Sequence, residues 1–331
     1  MVNNYHMPTR QRALLLVHPY YRPDRKRKKT RSQTEKDVWL ALKRLGYDTR
    51  VSTAQSDLLE LDRDLAAHRP HFVFNLLEEF RDEGVYDFHA VSFLEAKAVP
   101  FTGCNPRGMI LTRNKLWTAE ISRAAAVRAP KTWLASAVVR IPEPAFPLIL
   151  KFNHEHASLG ITLKSIVRNK LELRKQLKKL AEYDAEIVAQ DFITGREVTV
   201  GVTGNVKPVG FHPRELRMRS ESRIVTEKVK FSEKYRRQEK ITARYFVGDE
   251  QLIRELKAAS CRLFTHMNLS GYARFDFRLD RAGNFYLIDV NANPNLARDE
   301  DFALSAKWDG MPYDDLLQRI IRLAKDYRPV C

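Results

Sequence analysis

Cysteine is scarce in this sequence, and the three residues that occur lie far apart. Cys104, Cys261 and Cys331 form neither a CxxC pair nor a Cys/His cluster with the spacing of a zinc site. This pattern excludes a disulfide-stapled scaffold and is typical of a reducing compartment. Long apolar runs and an N-terminal secretory pattern are also missing, so we expect a cytoplasmic protein with no membrane partner.

Motifs of the common nucleic-acid-binding modules are missing as well. The sequence has no zinc finger, RRM or KH signature, and its aromatic residues are not interleaved with basic ones as base stacking requires. However, 57 Lys and Arg against 41 Asp and Glu give a net charge of +16, concentrated at 22–31 and 214–240. We interpret these segments as solvated loops or as sites for an anionic substrate, with nucleic acid as the less favoured partner.

Strands and helices alternate in the first part of the chain. An apolar run at 13–17 and a second one at 71–76 are separated by helical patterns, which predicts a parallel sheet covered by helices. Prolines then mark a second module, and a third carries two strands near its end. We therefore expect an α/β protein with three domains, at 1–105, 106–185 and 186–331.

The segment at 274–294, RFDFRLDRAGNFYLIDVNANP, predicts two strands joined by a turn. Alternate residues of a strand share a face, so Asp276 lies on one face of the first strand, and Asp289 and Asn291 share a face of the second. If these faces coincide, two carboxylates and an amide converge, and such oxygen ligands suit Mg²⁺. A surface hairpin with ordinary acids is the alternative.

Two further segments favour a phosphate ligand. Lys151 ends an apolar strand and precedes a loop of small residues, although that loop lacks the P-loop pattern. A lysine within a buried strand needs an anionic partner, whereas a lysine at the strand end can also reach solvent. In the segment 186–201, Glu197 follows a connection that can present backbone groups to a purine, and it is either a ribose acceptor or an ordinary strand-edge acid.

These segments, together with FNLLEE, PFTG and RNK, resemble the ATP-grasp superfamily, most closely its D-alanine:D-alanine ligase branch. The resemblance begins near Phe74 and covers most of the chain. It implies a three-domain ATP-grasp architecture with an N-terminal doubly wound parallel sheet, and ATP bound between the other two domains. The implied activity is an ATP-dependent carboxylate-amine ligase that forms an amide or peptide bond through an acyl phosphate and releases ADP and phosphate.

The resemblance also implies ligands and residue roles. Small-molecule carboxylate and amine substrates, two Mg²⁺ ions that Mn²⁺ can replace, and a homodimer are compatible with it. By position in this sequence, the phosphate contacts are Lys115, Lys151 and Lys228, the adenine contacts are Gln190, Asp191, Phe192 and Ile193, the ribose contact is Glu197, the metal ligands are Asp276, Asp289 and Asn291, and the catalytic arginine is Arg274.

The sequence departs from this family where the first substrate binds. The Gly-rich turn with its serine and glutamate is missing, and the basic segment 22–31 stands in its place. Ala157 and Val229 replace a serine and a tyrosine, and Asp289 stands where a glutamate is usual. We therefore expect a carboxylate other than D-alanine, larger or more anionic. A non-catalytic ATP-binding or nucleic-acid-binding module on the same fold is the alternative.

Overall fold

The computed structural model describes residues 10–23, 33–141, 144–155, 162–183, 185–217 and 242–329. Lys228 and most of both basic segments lie outside the described residues, as do Ala157 and Val229. Within the described ranges, no helix combines the length and the apolar character needed to cross a bilayer.

The N-terminal sheet is parallel, with strand order β2-β1-β3. Its elements are β1 (Arg12–Val17), α1 (Gln33–Arg44), β2 (Asp48–Thr53), α2 (Leu59–His68), β3 (Phe72–Asn75) and α3 (Phe88–Ala96). The apolar run in β1 is buried on both faces: Leu15 packs with Leu42 of α1, and Leu16 packs with Leu61 of α2. Helices on both faces confirm the predicted doubly wound arrangement.

The second sheet is antiparallel, with strand order β4-β7-β5-β6. It consists of β4 (Thr132–Leu134), β5 (Leu148–Phe152), β6 (Ile166–Val167) and β7 (Ile187–Asp191), with α6 (Ala135–Val138) and α7 (Lys170–Leu180) beside it. Leu148 and Leu150 of β5 pack against Leu173 and Leu180 of α7. The opposite face of β5 therefore carries Ile149 and Lys151.

Strand β7 joins a sheet whose other strands precede the predicted domain boundary at residue 186. The sequence pattern predicts that the third domain begins at residue 186, but β7 pairs with β5 and β4 of the second sheet. The reason is that an apolar strand pattern shows burial and does not show which sheet supplies the neighbouring strands. The division into three domains otherwise stays a prediction.

The third sheet has the strand order β11-β10-β8-β12-β13, and β9 also pairs with β8. Its strands are β8 (Arg196–Gly204), β9 (Val209–Gly210), β10 (Arg214–Arg217), β11 (Thr242–Tyr245), β12 (Gly271–Leu279) and β13 (Phe285–Asn291). Val198, Val200 and Phe275 belong to one apolar cluster with Leu256 and Leu263 of α8 (Glu250–His266). Alternation along β8 and β12 thus leaves the second face of the sheet for polar residues.

Four helices connect the modules. They are α4 (Pro106–Arg113), α5 (Lys115–Ala124), α9 (Asp301–Trp308) and α10 (Tyr313–Asp326). Helices α4 and α5 contact β13, although the sequence pattern places them in the second domain. Helix α10 packs Leu316 and Ile320 against the cluster that contains Phe72 and Phe74 of β3. The C-terminal helix therefore returns to the N-terminal sheet.

Candidate functional site

The polar face of the third sheet brings the predicted acidic cluster together. In the antiparallel register of β12 and β13, Asp276 lies opposite Asp289, and Arg274 lies opposite Asn291. Directly opposed residues in such a pair share a face of the sheet. The sequence could not show whether the faces of the two strands coincide. The register shows that they do, so both carboxylates and the amide lie on one side of the sheet.

Strand β8 extends this polar row. Thr199 lies opposite Asp276, and Glu197 lies opposite Arg278, so the same face continues across three strands. Glu197, Thr199, Asp276 and Arg278 are all buried. Buried charges must be paired or satisfied by a ligand, so the pairing of this row decides what it can bind.

Arg274 forms a two-pronged ion pair with Asp276. Its Nε lies 2.7 Å from Oδ1 and its Nη2 lies 2.8 Å from Oδ2. Burial lowers the pKa of Arg274, but the Asp276 carboxylate raises it by a larger amount. The resulting pKa lies above the usual value for arginine. Arg274 is thus a fixed positive charge beside the acids, held by a rigid fork geometry.

Arg278 orients Glu197, the predicted ribose acid. The Arg278 Nη2 lies 2.9 Å from Glu197 Oε2, and Nη1 donates to the Gly195 carbonyl at 3.2 Å. Burial raises the pKa of Glu197, while Arg278 lowers it. Gly195 has to be glycine here because a Cβ would lie 2.0 Å from the Leu279 carbonyl oxygen. Arg278 was not assigned a role from the sequence.

Lys151 faces the acidic row from the second sheet. Burial lowers the pKa of Lys151 to about 8, and the carboxylates of Asp289 and Glu197 raise it. Lys115 and Arg278 lower it further, so all these groups lie within electrostatic range of one another. The predicted lysine and the predicted acids Asp289 and Glu197 therefore lie within electrostatic range of one another, although they belong to different sheets.

Lys115 is the first residue of α5 and lies within electrostatic range of Asp289. The N-cap Asn114 accepts from the Trp117 N–H at 3.0 Å, and this cap fixes the start of the helix. The Lys115 ammonium donates to the carbonyls of Asn153 and Glu155. Burial lowers the pKa of Lys115, and the Asp289 carboxylate is the main opposing influence.

Asn153 is a residue of the site that contacts Lys115 and that sequence reasoning did not identify. Its Oδ1 accepts from the Lys115 N–H at 2.9 Å, and its side-chain nitrogen donates to Glu186. Asn153 follows β5 directly, two residues after Lys151, and it is completely buried. The feature of the sequence that could have identified Asn153 is an amide side chain directly after an apolar strand.

The predicted adenine segment begins within β7 and continues beyond its end. Phe192 forms a small apolar cluster with Ile149 and Ile166, and its N–H donates to the Pro147 carbonyl at 3.0 Å. Gln190 donates to Thr132 Oγ1 at 3.0 Å, while its Oε1 is buried without a hydrogen bond inside the described ranges. An apolar patch beside backbone and amide groups suits a flat heterocycle.

The remaining two residues of this segment add less. Burial raises the pKa of Asp191, whose N–H donates to the Lys131 carbonyl at 3.0 Å. Ile193 is half-buried. Gln190 lies opposite Ile149 and shares the face of the second sheet that carries Lys151, whereas Asp191 lies opposite Leu148 on the other face. Lys228 alone of the predicted residues lies outside the described part.

The oxygen donors of the acidic row fit a hard divalent cation. Asn291 Oδ1 accepts from the Asn293 N–H at 2.8 Å, which fixes the direction of its side chain. Both oxygens of Asp276 accept from Arg274, but each carboxylate oxygen has a second lone pair for an ion. Two carboxylates and an amide at one edge are the donor types that Mg²⁺ takes from proteins.

Residues 119–322 match the family model described as D-ala D-ala ligase C-terminus. The chain belongs to this family. The match covers more than half of the sequence and includes every predicted site residue except Lys115, which lies just before its start. It confirms the predicted membership in the D-alanine:D-alanine ligase branch of the ATP-grasp superfamily.

Individual relatives agree with this assignment. The uncharacterized protein y4sG of Sinorhizobium fredii (strain NBRC 101917 / NGR234) is 27% identical over 296 residues, which cover 87% of this chain and 86% of the relative. The D-alanine--D-alanine ligase of Aquifex aeolicus (strain VF5) is 24% identical over 298 residues, 87% of this chain and 94% of that protein.

The solved structures support the fold. The D-alanine--D-alanine ligase from Bacillus anthracis complexed with ATP superposes with a TM-score of 0.68, at 20% identity, over 95% of this chain and 97% of that one. At this identity the likeness concerns architecture, and it confirms the predicted ATP-grasp fold.

Proposed function

We propose that this protein is an ATP-dependent carboxylate-amine ligase that forms an amide or peptide bond and releases ADP and phosphate. The observation that carries the proposal is that Lys115 and Lys151 both lie within electrostatic range of Asp289. The buried Lys115 and the half-buried Lys151 both have lowered pKa values and lie within electrostatic range of an acid row with a magnesium-type donor set. Ammonium groups and a divalent cation together suit a triphosphate, which carries several negative charges.

In the proposed complex, ATP lies between the second and third sheets. The adenine packs on the apolar patch of Phe192, Ile149 and Ile166, and the Gln190 amide oxygen is available to its amino group. Glu197 accepts from a ribose hydroxyl, because Arg278 holds its carboxylate in place. Lys115 and Lys151 then contact the phosphates.

The proposed reaction has two displacement steps. A carboxylate oxygen of the substrate bonds to the γ-phosphorus of ATP, and the bond from that phosphorus to the bridging oxygen of ADP breaks. The amine then attacks the acyl carbon, phosphate leaves with the electron pair of the C–O bond, and the amine loses a proton. Neither step needs a nucleophilic side chain from the protein.

The residues of the site would reduce charge repulsion and fix geometry. Arg274, held in the fork with Asp276, donates toward the oxygens of the reacting phosphoryl and acyl groups. Mg²⁺ held by Asp276, Asp289 and Asn291 would supply Lewis-acid neutralisation of the phosphate oxygens. A carboxylate can approach a triphosphate only when these positive charges are in place.

For the first substrate, we propose a carboxylate other than D-alanine, and an amino acid or peptide as the amine. Support comes from the sequence after β1, where the basic segment 22–31 stands in place of the Gly-rich turn typical of the family. The Arg298 side chain that follows the metal segment lies over the Tyr313 ring and 3.6 Å from Asp314.

The test is an ADP-release screen over pairs of carboxylates and amines, with D-alanine included. We expect turnover with at least one pair, and Asp289→Asn should reduce that turnover at least about 100-fold, because it removes a charged ligand. The matched control is Asp299→Asn, an exposed acid ten residues further on, which should behave as the wild type.

Three outcomes would contradict the proposal. Retention of turnover by Asp289→Asn would remove the metal assignment, and D-alanine as the best substrate would remove the substrate assignment. Confirmed ATP binding without ADP release from any pair would favour the non-catalytic alternative. Salt-dependent binding of DNA or RNA in that case would identify a nucleic-acid-binding module.

A further inference from the structure

A second group of polar side chains lies at the edge of the N-terminal sheet, apart from the nucleotide site. His18 follows β1 directly, and Glu79 and Asp82 lie in the connection after β3. Strands β1 and β3 are parallel neighbours, so their carboxyl ends meet at one edge of the sheet. In open α/β sheets this edge is where ligands bind.

The imidazole of His18 is buried and points between the two acids. Its Nε2 lies 3.6 Å from Glu79 Oε1 and 3.6 Å from Asp82 Oδ1. These distances exceed the usual hydrogen-bond range of about 2.7–3.2 Å. Nε2 makes no hydrogen bond within the part of the chain that the structure describes, although His18 is only 1% exposed. A buried polar nitrogen of this kind calls for a ligand.

The loop holds Asp82 toward His18 by its own contacts. Arg81 and Asp82 have φ angles of 57° and 58°, in the left-handed region that side chains other than glycine rarely adopt. The Gln55 side chain donates to Asp82 Oδ1 at 3.0 Å, and Phe80 pairs with Glu83 across the turn. Asp82 is therefore positioned without any contribution from the ion pair itself.

We propose that His18, Glu79 and Asp82 bind a divalent transition-metal ion of the zinc class. The ligand atoms lie within 4.8 Å of one another. Tetrahedral bonds of about 2.0–2.1 Å place two ligand atoms roughly 3.4 Å apart, close to the 3.6 Å between His18 Nε2 and each acid. One imidazole and two carboxylates are a donor set that such ions accept, and they leave one position for water or a further oxygen donor.

Metal binding would change one hydrogen bond of the imidazole. His18 Nδ1 accepts from the Tyr20 N–H at 3.4 Å, but a metal on Nε2 places the proton on Nδ1. The hydrogen bond that this exchange breaks is long, so breaking it opposes metal binding only weakly. The two lysines and the acid row of the nucleotide site contribute no ligand atom to this cluster.

The test is a titration of Co²⁺ into the tag-free, full-length chain without nucleotide. We expect one Co²⁺ per chain with the visible absorption of a four-coordinate site, and competition by Zn²⁺. His18→Gln and Asp82→Asn should each weaken binding at least about 10-fold, because each removes one of three ligands. His266→Gln, which removes an exposed histidine, should bind as the wild type.

Several results would overturn the inference. Absence of Co²⁺ uptake by the wild type would leave only the contacts of His18 with the two acids and with the Tyr20 N–H as its role. Uptake that survives His18→Gln, or that disappears in Asp289→Asn, would place the ion elsewhere. If His18→Gln fails to fold by circular dichroism, Glu79→Gln and Asp82→Asn decide the matter, because their side chains are 35% and 67% exposed.

Discussion

The affinity for ATP should fall steeply as the pH rises above about 8, because Lys151 then loses the proton that attracts the phosphates. Burial lowers the pKa of Lys151 from 10.5 to about 8, against the opposing attraction of Asp289. Bound phosphates favour the charged form and raise this pKa again. Binding therefore takes up a proton in this window, and affinity decreases with increasing pH.

The size of the effect follows from the protonated fraction of Lys151. With a pKa of about 8, roughly three quarters of these side chains are protonated at about pH 7.5, and about 3% at about pH 9.5. If binding requires the ammonium, affinity falls about 25-fold, whereas a lysine with an ordinary pKa would lose only about 10% of its charge. The last ionisation of the ATP phosphates is complete near pH 7, so it adds little to the pH dependence of the affinity above that pH.

The assay is isothermal titration calorimetry with a non-hydrolysable ATP analogue across this pH range. Buffers with different ionisation enthalpies would report the proton uptake directly. Lys151→Arg is the matched control, because its guanidinium stays charged across this pH range. The pH dependence of affinity that remains in this variant comes from Lys115, whose pKa burial also lowers. A change of less than about 2-fold in the wild type, or the same fall in Lys151→Arg, would refute the reasoning.

Two other substitutions test the third sheet. Glu197→Gln should weaken binding of the same analogue by at least about 10-fold, because a charge-assisted hydrogen bond contributes about 1.5–3 kcal/mol, and unchanged affinity would argue against the ribose contact. Gly195→Ala should lower the free energy of unfolding in urea by about 1–3 kcal/mol, since its Cβ would meet the Leu279 carbonyl at 2.0 Å. Gly84→Ala is its control, because that Cβ would find ordinary contacts at 3.6 Å, and equal losses in both variants would refute the steric argument.

Much of the third sheet could be predicted from local pattern. The alternation in 271–279 and 285–291 placed Asp276, Asp289 and Asn291 on defined faces, and the register of β12 and β13 brings those faces together. The period of a strand is two residues, so face assignment needs only the sequence. The continuous apolar run of β1 likewise indicated a strand buried on both sides.

Sheet membership could not be predicted in the same way. Strand β7 has the composition of any buried strand, and its partners β4 and β5 were fixed by contacts between residues far apart in the chain. The contacts of Asn153 with Lys115 and of Arg278 with Glu197 have the same origin. From the sequence alone, polar residues at such positions cannot be distinguished from ordinary strand-end residues, because the sequence does not show their contact partners.

The sequence by itself determined the element types, the faces of the strands and the family, because these depend on periodicity and on motifs in order. Tertiary structure alone decided which groups share one electrostatic environment. Lys115, Lys151 and Asp289 come from a helix, a second sheet and a third sheet, and burial among them shifts the lysine pKa values. Likewise, only the parallel pairing of β1 and β3 brings His18 to Glu79 and Asp82.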